Sequence, residues 1–148
     1  MKSKTILLVE DNPQDELLML RVLRKNDLAR EVVVVRDGQQ ALDYLFRQGE
    51  FAQRNGALLP AVVLLDIGLP RVSGLDVLQR VRANTQTRLL PVVMLTSSDE
   101  ERDLLQSYMN GANSYVRKPL DFVEFSDTVA RLGVYWLGIN ESSAGERP

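Results

Sequence analysis

The chain is predicted to form one α/β domain, a five-stranded doubly wound parallel sheet with five helices, and three observations predict it. Ala61-Val62-Val63-Leu64-Leu65 runs apolar without alternation into Asp66, the pattern of a strand buried on both faces. Four further short apolar runs alternate with helix-like stretches, as successive βαβ units require. Several of these runs end in polar groups, and parallel strands carry such ends to the one edge where open α/β sheets hold ligands. A length of 148 residues suffices for one core. A composition of 45% hydrophobic and 26% charged residues fits an ordinary soluble globular chain.

In chain order, Thr5 to Val9 is the first strand and ends in Glu10-Asp11. Asn12-Pro13 opens a helix to about Asn26. Asp11 or Asn12 supplies the cap, Pro13 suits the first turn, and Gln14-Asp15-Glu16 favour a helix N-terminus. Leu18, Met19, Val22 and Leu23 form its core stripe, which leaves Leu17 and Leu20 outside. Glu31 to Val35 is the second strand, closed by Arg36-Asp37-Gly38, and a helix follows through Ala41, Leu42, Leu45 and Phe46. The connection from Gly49 to Pro60 exceeds the ~2–6 residues usual in α/β units.

After the central strand, Gly74 to Ala83 is a helix carrying Leu75, Leu78 and Val81. Pro91 to Thr96 is the fourth strand, and Thr96-Ser97-Ser98-Asp99 is a hydroxyl-rich turn with a good N-cap. A helix from about Glu100 to Asn110 gives way at Gly111 to a fifth strand, Asn113 to Arg117. Lys118-Pro119 ends that strand, and a last helix runs from Asp121 to about Leu137. The domain is read as residues 1–138, with 139–148 a polar, mobile tail.

Net charge is −2 and no long basic run is present, so no nucleic-acid footprint is expected. No apolar run is long enough for a membrane span or a signal segment, and a cytoplasmic protein is expected. The absence of Cys excludes disulfides and thiolate chemistry. The absence of His excludes serine–histidine triads, His-ligated zinc and a phosphohistidine on this chain. Any chemistry here runs on carboxylates, hydroxyls and amines, with or without a hard cation.

Glu10-Asp11, Asp66, Thr96 and Lys118 all stand at strand ends and converge in a parallel sheet. Two carboxylates ~5 Å apart repel by roughly 3 kcal/mol at an effective dielectric of ~20, and relief comes from protonation, a cation or Lys118. With oxygen ligands alone, Mg2+ is the natural guest. A carboxylate beside Mg2+, a Lys and a Thr hydroxyl matches what phosphoryl transfer to Asp needs.

From Thr5 to Leu137 the chain resembles a response-regulator receiver domain of two-component systems. The resemblance rests on Val9-Glu10-Asp11, Asp66 with Pro70 and Gly74 after it, Thr96, Tyr115 and Lys118-Pro119. It implies a flavodoxin-like sheet of order 2-1-3-4-5, with Asp66 as phosphoacceptor for a sensor histidine kinase. It further implies Mg2+ held by Asp11, Asp66, Glu10 and the backbone carbonyl of Gly68, and phosphoryl oxygens held by Thr96 and Lys118. Thr96 and Tyr115 would be the switch pair. Ser97 would leave the phosphate entrance open, while Gly68 and Ser98 occupy positions that influence phosphate lifetime. No separate organic cofactor is implied.

A finer resemblance, to phytochrome-associated regulators, rests on Glu10-Asp11-Asn12-Pro13, Arg36-Asp37-Gly38, the long Gly49–Pro60 connection and Trp136. It implies a stand-alone regulator whose kinase is a phytochrome. In the last helix Phe122, Phe125, Val129, Leu132 and Trp136 form an apolar seam expected in the core. A second seam, Val123, Ala130, Val134 and Leu137, exceeds what one helix face needs, and a homodimer through this helix is expected. Leu17 and Leu20 suggest a kinase-docking patch.

Rival readings remain. Lys118 suits a surface ion pair, Thr96 a turn cap, Tyr115 a static core aromatic, and Glu10-Asp11 a helix N-terminus. The chain as a whole admits a phosphate sink for a shared kinase or a phosphate-independent receiver-like binding module, although such modules usually lack part of the acidic pocket. A haloacid-dehalogenase-type phosphatase wants its nucleophile on the first strand and a second Asp at +2, where Gly68 stands here. A flavodoxin-like flavin site wants a hydroxyl-rich loop after the first strand, where Glu10-Asp11 would repel phosphate.

Overall fold

Strands β1 (Thr5–Val9), β2 (Glu31–Val35), β3 (Val62–Leu65), β4 (Val92–Thr96) and β5 (Ser114–Arg117) form one parallel sheet in the order β2-β1-β3-β4-β5. The computed structural model describes residues 5–25, 31–54, 59–141 and 143. Helices α1 (Pro13–Lys25), α2 (Gly38–Phe46), α3 (Gly74–Ala83), α4 (Glu101–Met109) and α5 (Phe122–Gly133) connect or follow the strands. The predicted fold class is the observed one.

Side chains alternate across each strand and split the core into two layers. Leu7, Val9, Val63, Leu65, Val92 and Met94 pack with Leu42 and Leu45 of α2 and with Val77, Leu78 and Val81 of α3. Ile6, Leu8, Val62, Leu64, Val93 and Leu95 pack with Leu18, Met19 and Leu23 of α1 and with Phe125 and Val129 of α5. The central strands are covered on both faces, which is why their sequences show no polar alternation. Leu75 is only half-buried, and Val77 holds the core position beside Leu78 instead.

Caps set the helix starts that aim the loops. Asn12, rather than Asp11, caps α1: its Oδ1 accepts from the N–H groups of Gln14 (2.9 Å) and Asp15 (3.1 Å). Asp37 caps α2 through the Gln40 N–H at 2.7 Å, and Asp121 caps α5 through the Glu124 N–H at 2.9 Å. At α4 the expected side-chain N-cap is displaced. Glu100 occupies the cap position without a side-chain bond, while the Ser98 hydroxyl accepts from the Glu100 N–H (3.3 Å) and donates to Asp103 (2.7 Å).

The long connection after α2 contains a 3₁₀ turn, Gly49–Phe51. Its Phe51 ring meets Tyr44 edge-on, and Arg54 lies over the Tyr44 ring at 4.2 Å, a cation–π contact that holds the segment to α2. Residues 55–58 of that connection lie outside the described residues.

The C-terminal helix departs from expectation. After Gly133 the chain continues as a π-helical turn, Val134–Ile139, and its wider, i→i+5 bonded turn changes which residues face inward. Leu137 is buried in the α1–α5 layer, although the α-helical spacing assigned it to the surface seam. Phe122, expected in the core, is 64% exposed because it is the first residue of α5, beyond the end of the sheet. Residues 142 and 144–148, most of the segment read as a mobile tail, lie outside the described residues.

Candidate functional site

Register builds the site. Val9 pairs with Leu65, Leu65 with Met94 and Met94 with Tyr115, so these four residues form one row across the sheet. One step beyond the row come Glu10 and Asp66, and Thr96 and Lys118 follow at the ends of β4 and β5. The strand-end residues thus meet at one edge, as parallel pairing requires. They line a cleft of about 690 Å3 with Asp11, Asp15, Gly68, Ser97 and Ser98.

Lys118 is the centre of the cleft. Its Nζ donates to Glu10 Oε1 at 2.6 Å, Asp15 Oδ2 at 3.0 Å and Asp66 Oδ2 at 3.2 Å. An ammonium has three hydrogens, and each has a carboxylate. Backbone groups hold the other oxygens: the Ile67 N–H donates to Asp66 Oδ1 at 2.7 Å, and the Asn12 N–H to Glu10 Oε2 at 3.1 Å. Glu10 is 1% exposed and Lys118 8%, so their contact is little screened by water.

Burial pushes the Glu10 carboxyl up, and the hydrogen bond and charge of Lys118 draw it only part of the way back. For Lys118, burial pulls the ammonium down, but the Glu10 hydrogen bond, the charges of Asp66 and Glu10, and Asp15 outweigh it. The ammonium is held above its ordinary range. Burial thus raises Glu10 against the pull of its lysine partner, while the surrounding carboxylates raise Lys118 against burial.

Carboxylate oxygens of Glu10, Asp11 and Asp66 lie within 4.8 Å of one another, with Asp11 exposed to the cleft mouth. Three hard oxygen donors at this spacing fit a divalent cation that keeps part of its water shell. These residues fit a hard metal ion.

The remaining predicted residues divide. Thr96 is buried at the cleft floor, and its Oγ1 accepts from the Ser98 N–H at 3.3 Å. Tyr115 is half-buried, and its hydroxyl donates to the Ser98 carbonyl at 3.1 Å. Burial raises its phenol above the usual range. Ser97 is exposed at the rim and Gly68 is exposed opposite it. Leu17 is 59% exposed and borders a groove of about 530 Å3 with Leu120 and Phe122. Leu20 is half-buried and does not line that groove.

Sequence reasoning missed Asp15. In the sequence it is one of two acids in a first helical turn, which the helix dipole accounts for, and only the folded chain brings it to a lysine 103 residues away. Glu16 is likewise a first-turn acid that the helix dipole accounts for in the sequence. It forms a paired hydrogen bond with Arg36, at 2.9 and 2.8 Å, which ties α1 to the end of β2.

The response regulator receiver domain family matches residues 6–130. The chain belongs to the response-regulator receiver family. Receiver domains form a signalling family that takes phosphoryl groups from histidine kinases and binds divalent cations at an acidic site. Among its relatives is the probable methanogenesis regulatory protein FilR2 of Methanothrix harundinacea, 41% identical over 137 residues, 93% of this chain and 86% of that protein. The solved structure of the phosphorylated cyanobacterial phytochrome response regulator RcpA superposes with a TM-score of 0.89 at 33% identity, over 95% of this chain and 99% of that one. The bacteriophytochrome response regulator RtBRR superposes with a TM-score of 0.76 at 50% identity, over 100% and 85%. Receiver fold and sheet order agree with these relatives. Among the described residues, no helix of this receiver is long and apolar enough to cross a membrane.

Proposed function

We propose that this receiver accepts a phosphoryl group on Asp66 from a histidine kinase and signals through a phosphorylation-dependent change in protein contacts. The observation that carries this reading is the placement of Lys118 Nζ between Glu10 and Asp66, beside a three-carboxylate cluster. A carboxylate oxygen of Asp66 forms the new P–O bond as the P–N bond to the kinase histidine breaks. Thr96 and Lys118 are the donors for the phosphoryl oxygens. Mg2+ would be held by Glu10, Asp11, Asp66 and the Gly68 carbonyl, and when bound it supplies charge neutralisation. Thr96 and Tyr115 form the switch. The added charge draws the Thr96 hydroxyl toward the phosphate, and Tyr115 exchanges its Ser98 bond for an inward position. Ser97 leaves the entrance open, while Gly68 and Ser98 flank the path of hydrolytic water.

Intact mass after incubation with acetyl phosphate tests the chemistry. The native chain is expected to gain about 80 Da, one phosphoryl group, only with Mg2+ present, and Asp66→Asn to gain nothing. A full adduct on Asp66→Asn would remove Asp66 as the acceptor. The phosphatase and flavin readings are not favoured, because the chain is a receiver and its acidic cluster is complete.

The donor is a sensor histidine kinase that docks over the Leu17–Leu120–Phe122 groove. The likeness to RcpA and RtBRR supports a phytochrome as that kinase. Equal phosphotransfer rates in light and dark would count against it. A second copy of the chain docks through the last helix, where Val123, Val134, Tyr135 and Ile139 are exposed. Sedimentation is expected to show a dimer for the native chain and a monomer for Val134→Glu; a native monomer at ~100 μM would refute it, since specific interfaces hold well below that.

A further inference from the structure

We infer that Asp15 is a latch on Lys118, a positioning residue that holds the ammonium in the resting chain and gives it up when a phosphoryl group arrives. The inference rests on the reading of Asp66 as phosphoacceptor. All three Lys118 hydrogens are taken by carboxylates, those of Glu10, Asp15 and Asp66. A phosphoryl group on Asp66 adds oxygens farther out in the cleft, and to reach one of them Nζ must leave or lengthen a present contact.

The three contacts are not equivalent. That with Glu10 is the shortest, at 2.6 Å, and its release would strand a fully buried carboxylate, the costlier outcome. Asp66 carries the phosphoryl group itself. The Asp15 side chain is 27% exposed, so water replaces the lysine there at little cost. Asp15 also borders both the acidic cleft and the apolar groove beside α1. Its release therefore changes the charge exposed at the rim of that groove.

A latch of this kind opposes phosphoryl binding, so its removal must strengthen it. Loss of structure would weaken binding or leave it unchanged, which makes the direction diagnostic. The experiment is a calorimetric titration with beryllofluoride, a phosphoryl analogue, at saturating Mg2+, on the native chain, Asp15→Asn, Asp66→Asn and Glu16→Gln. Glu16 is the neighbouring first-turn acid, pairs with Arg36 rather than Lys118, and controls for helix-dipole effects. Asp15→Asn is expected to bind roughly two- to fivefold more tightly, the worth of a partly exposed ion pair, and Glu16→Gln to match the native chain. Equal or weaker binding by Asp15→Asn, or the same gain in Glu16→Gln, overturns the latch. Binding by the native chain that does not depend on Asp66 overturns the phosphoacceptor reading, and the latch with it.

Discussion

A Lys118→Met chain is expected to lose about 3–5 kcal/mol of stability in metal-free buffer, the range seen when one partner of a buried charge pair is removed. The physical cause is arithmetic of charge. Glu10, Asp15 and Asp66 share one ammonium, and Met returns the volume without the cation. The backbone N–H bonds to Glu10 and Asp66 remain but do not neutralise. Mg2+ is expected to restore part of the loss, because the remaining carboxylates offer a divalent cation a more anionic site. Urea unfolding with and without Mg2+ checks both statements. Equal stability of the two chains without metal would show that the carboxylates do not need the lysine.

The same residue fixes a pH dependence. Lys118 is raised above its ordinary value of 10.5 in the folded chain, so the folded state binds this proton more tightly than the unfolded one. Its contribution is therefore complete below that ordinary value, declines as pH rises above it, and is lost once pH has climbed through the higher folded value. The stability gap between native and Lys118→Met chains should stay level from pH 7 to about 10 and narrow above that. Beryllofluoride affinity should fall in parallel by roughly ten- to a hundredfold at neutral pH, the worth of one charged hydrogen bond.

What the sequence disclosed and what it hid follow from range. Strands were legible because a two-sided burial requirement writes itself into consecutive residues, as in Val62 to Leu65. Asp66, Thr96 and Lys118 were legible because each directly follows or ends such a run, and parallel register does the rest. Asp15 was not, since nothing local distinguishes a first-turn acid that serves the helix dipole from one that meets a distant lysine. Arg82 was hidden for the same reason. Its guanidinium donates to the carbonyls of Arg88, Leu90 and Gly111 and to the Asn113 side chain, a fork that joins the end of α3 to the loops before β4 and β5. Phe122 and Leu137 depart from a fixed 3.6-residue period because Leu137 lies in a π-helical turn and Phe122 stands at the start of α5, past the sheet end. Exposure along α4, where Leu105 and Met109 face outward and Ser107 is the buried residue, likewise breaks the expectation that each helix buries an apolar stripe.

Gly74→Ala is expected to be the most damaging single-atom addition at the site. A Cβ at Gly74 would lie 2.0 Å from the Asp66 carbonyl oxygen and 2.8 Å from Ile67 Cα, and backbone atoms cannot rotate away as a side-chain tip would. Either α3 or the segment after β3 must shift, and that segment carries Asp66, the proposed phosphoacceptor. Overpacking of this kind costs about 1–3 kcal/mol or more, and a displacement of ~1 Å at reacting groups is enough to slow a reaction about a hundredfold. Gly38 provides the comparison. A Cβ there meets the Val72 carbonyl at 1.8 Å, equally tight but six residues beyond Asp66. Gly38→Ala should therefore destabilise to a similar extent while retaining more of the acetyl phosphate labelling rate. Gly68→Ala is the neutral case, with nothing within 4 Å of the added carbon, and should leave the unfolding midpoint where it is. Labelling rates and urea midpoints for the three variants separate two roles that glycine plays around Asp66. If Gly74→Ala labels as fast as the native chain, the close approach of α3 packs the domain without positioning the acceptor.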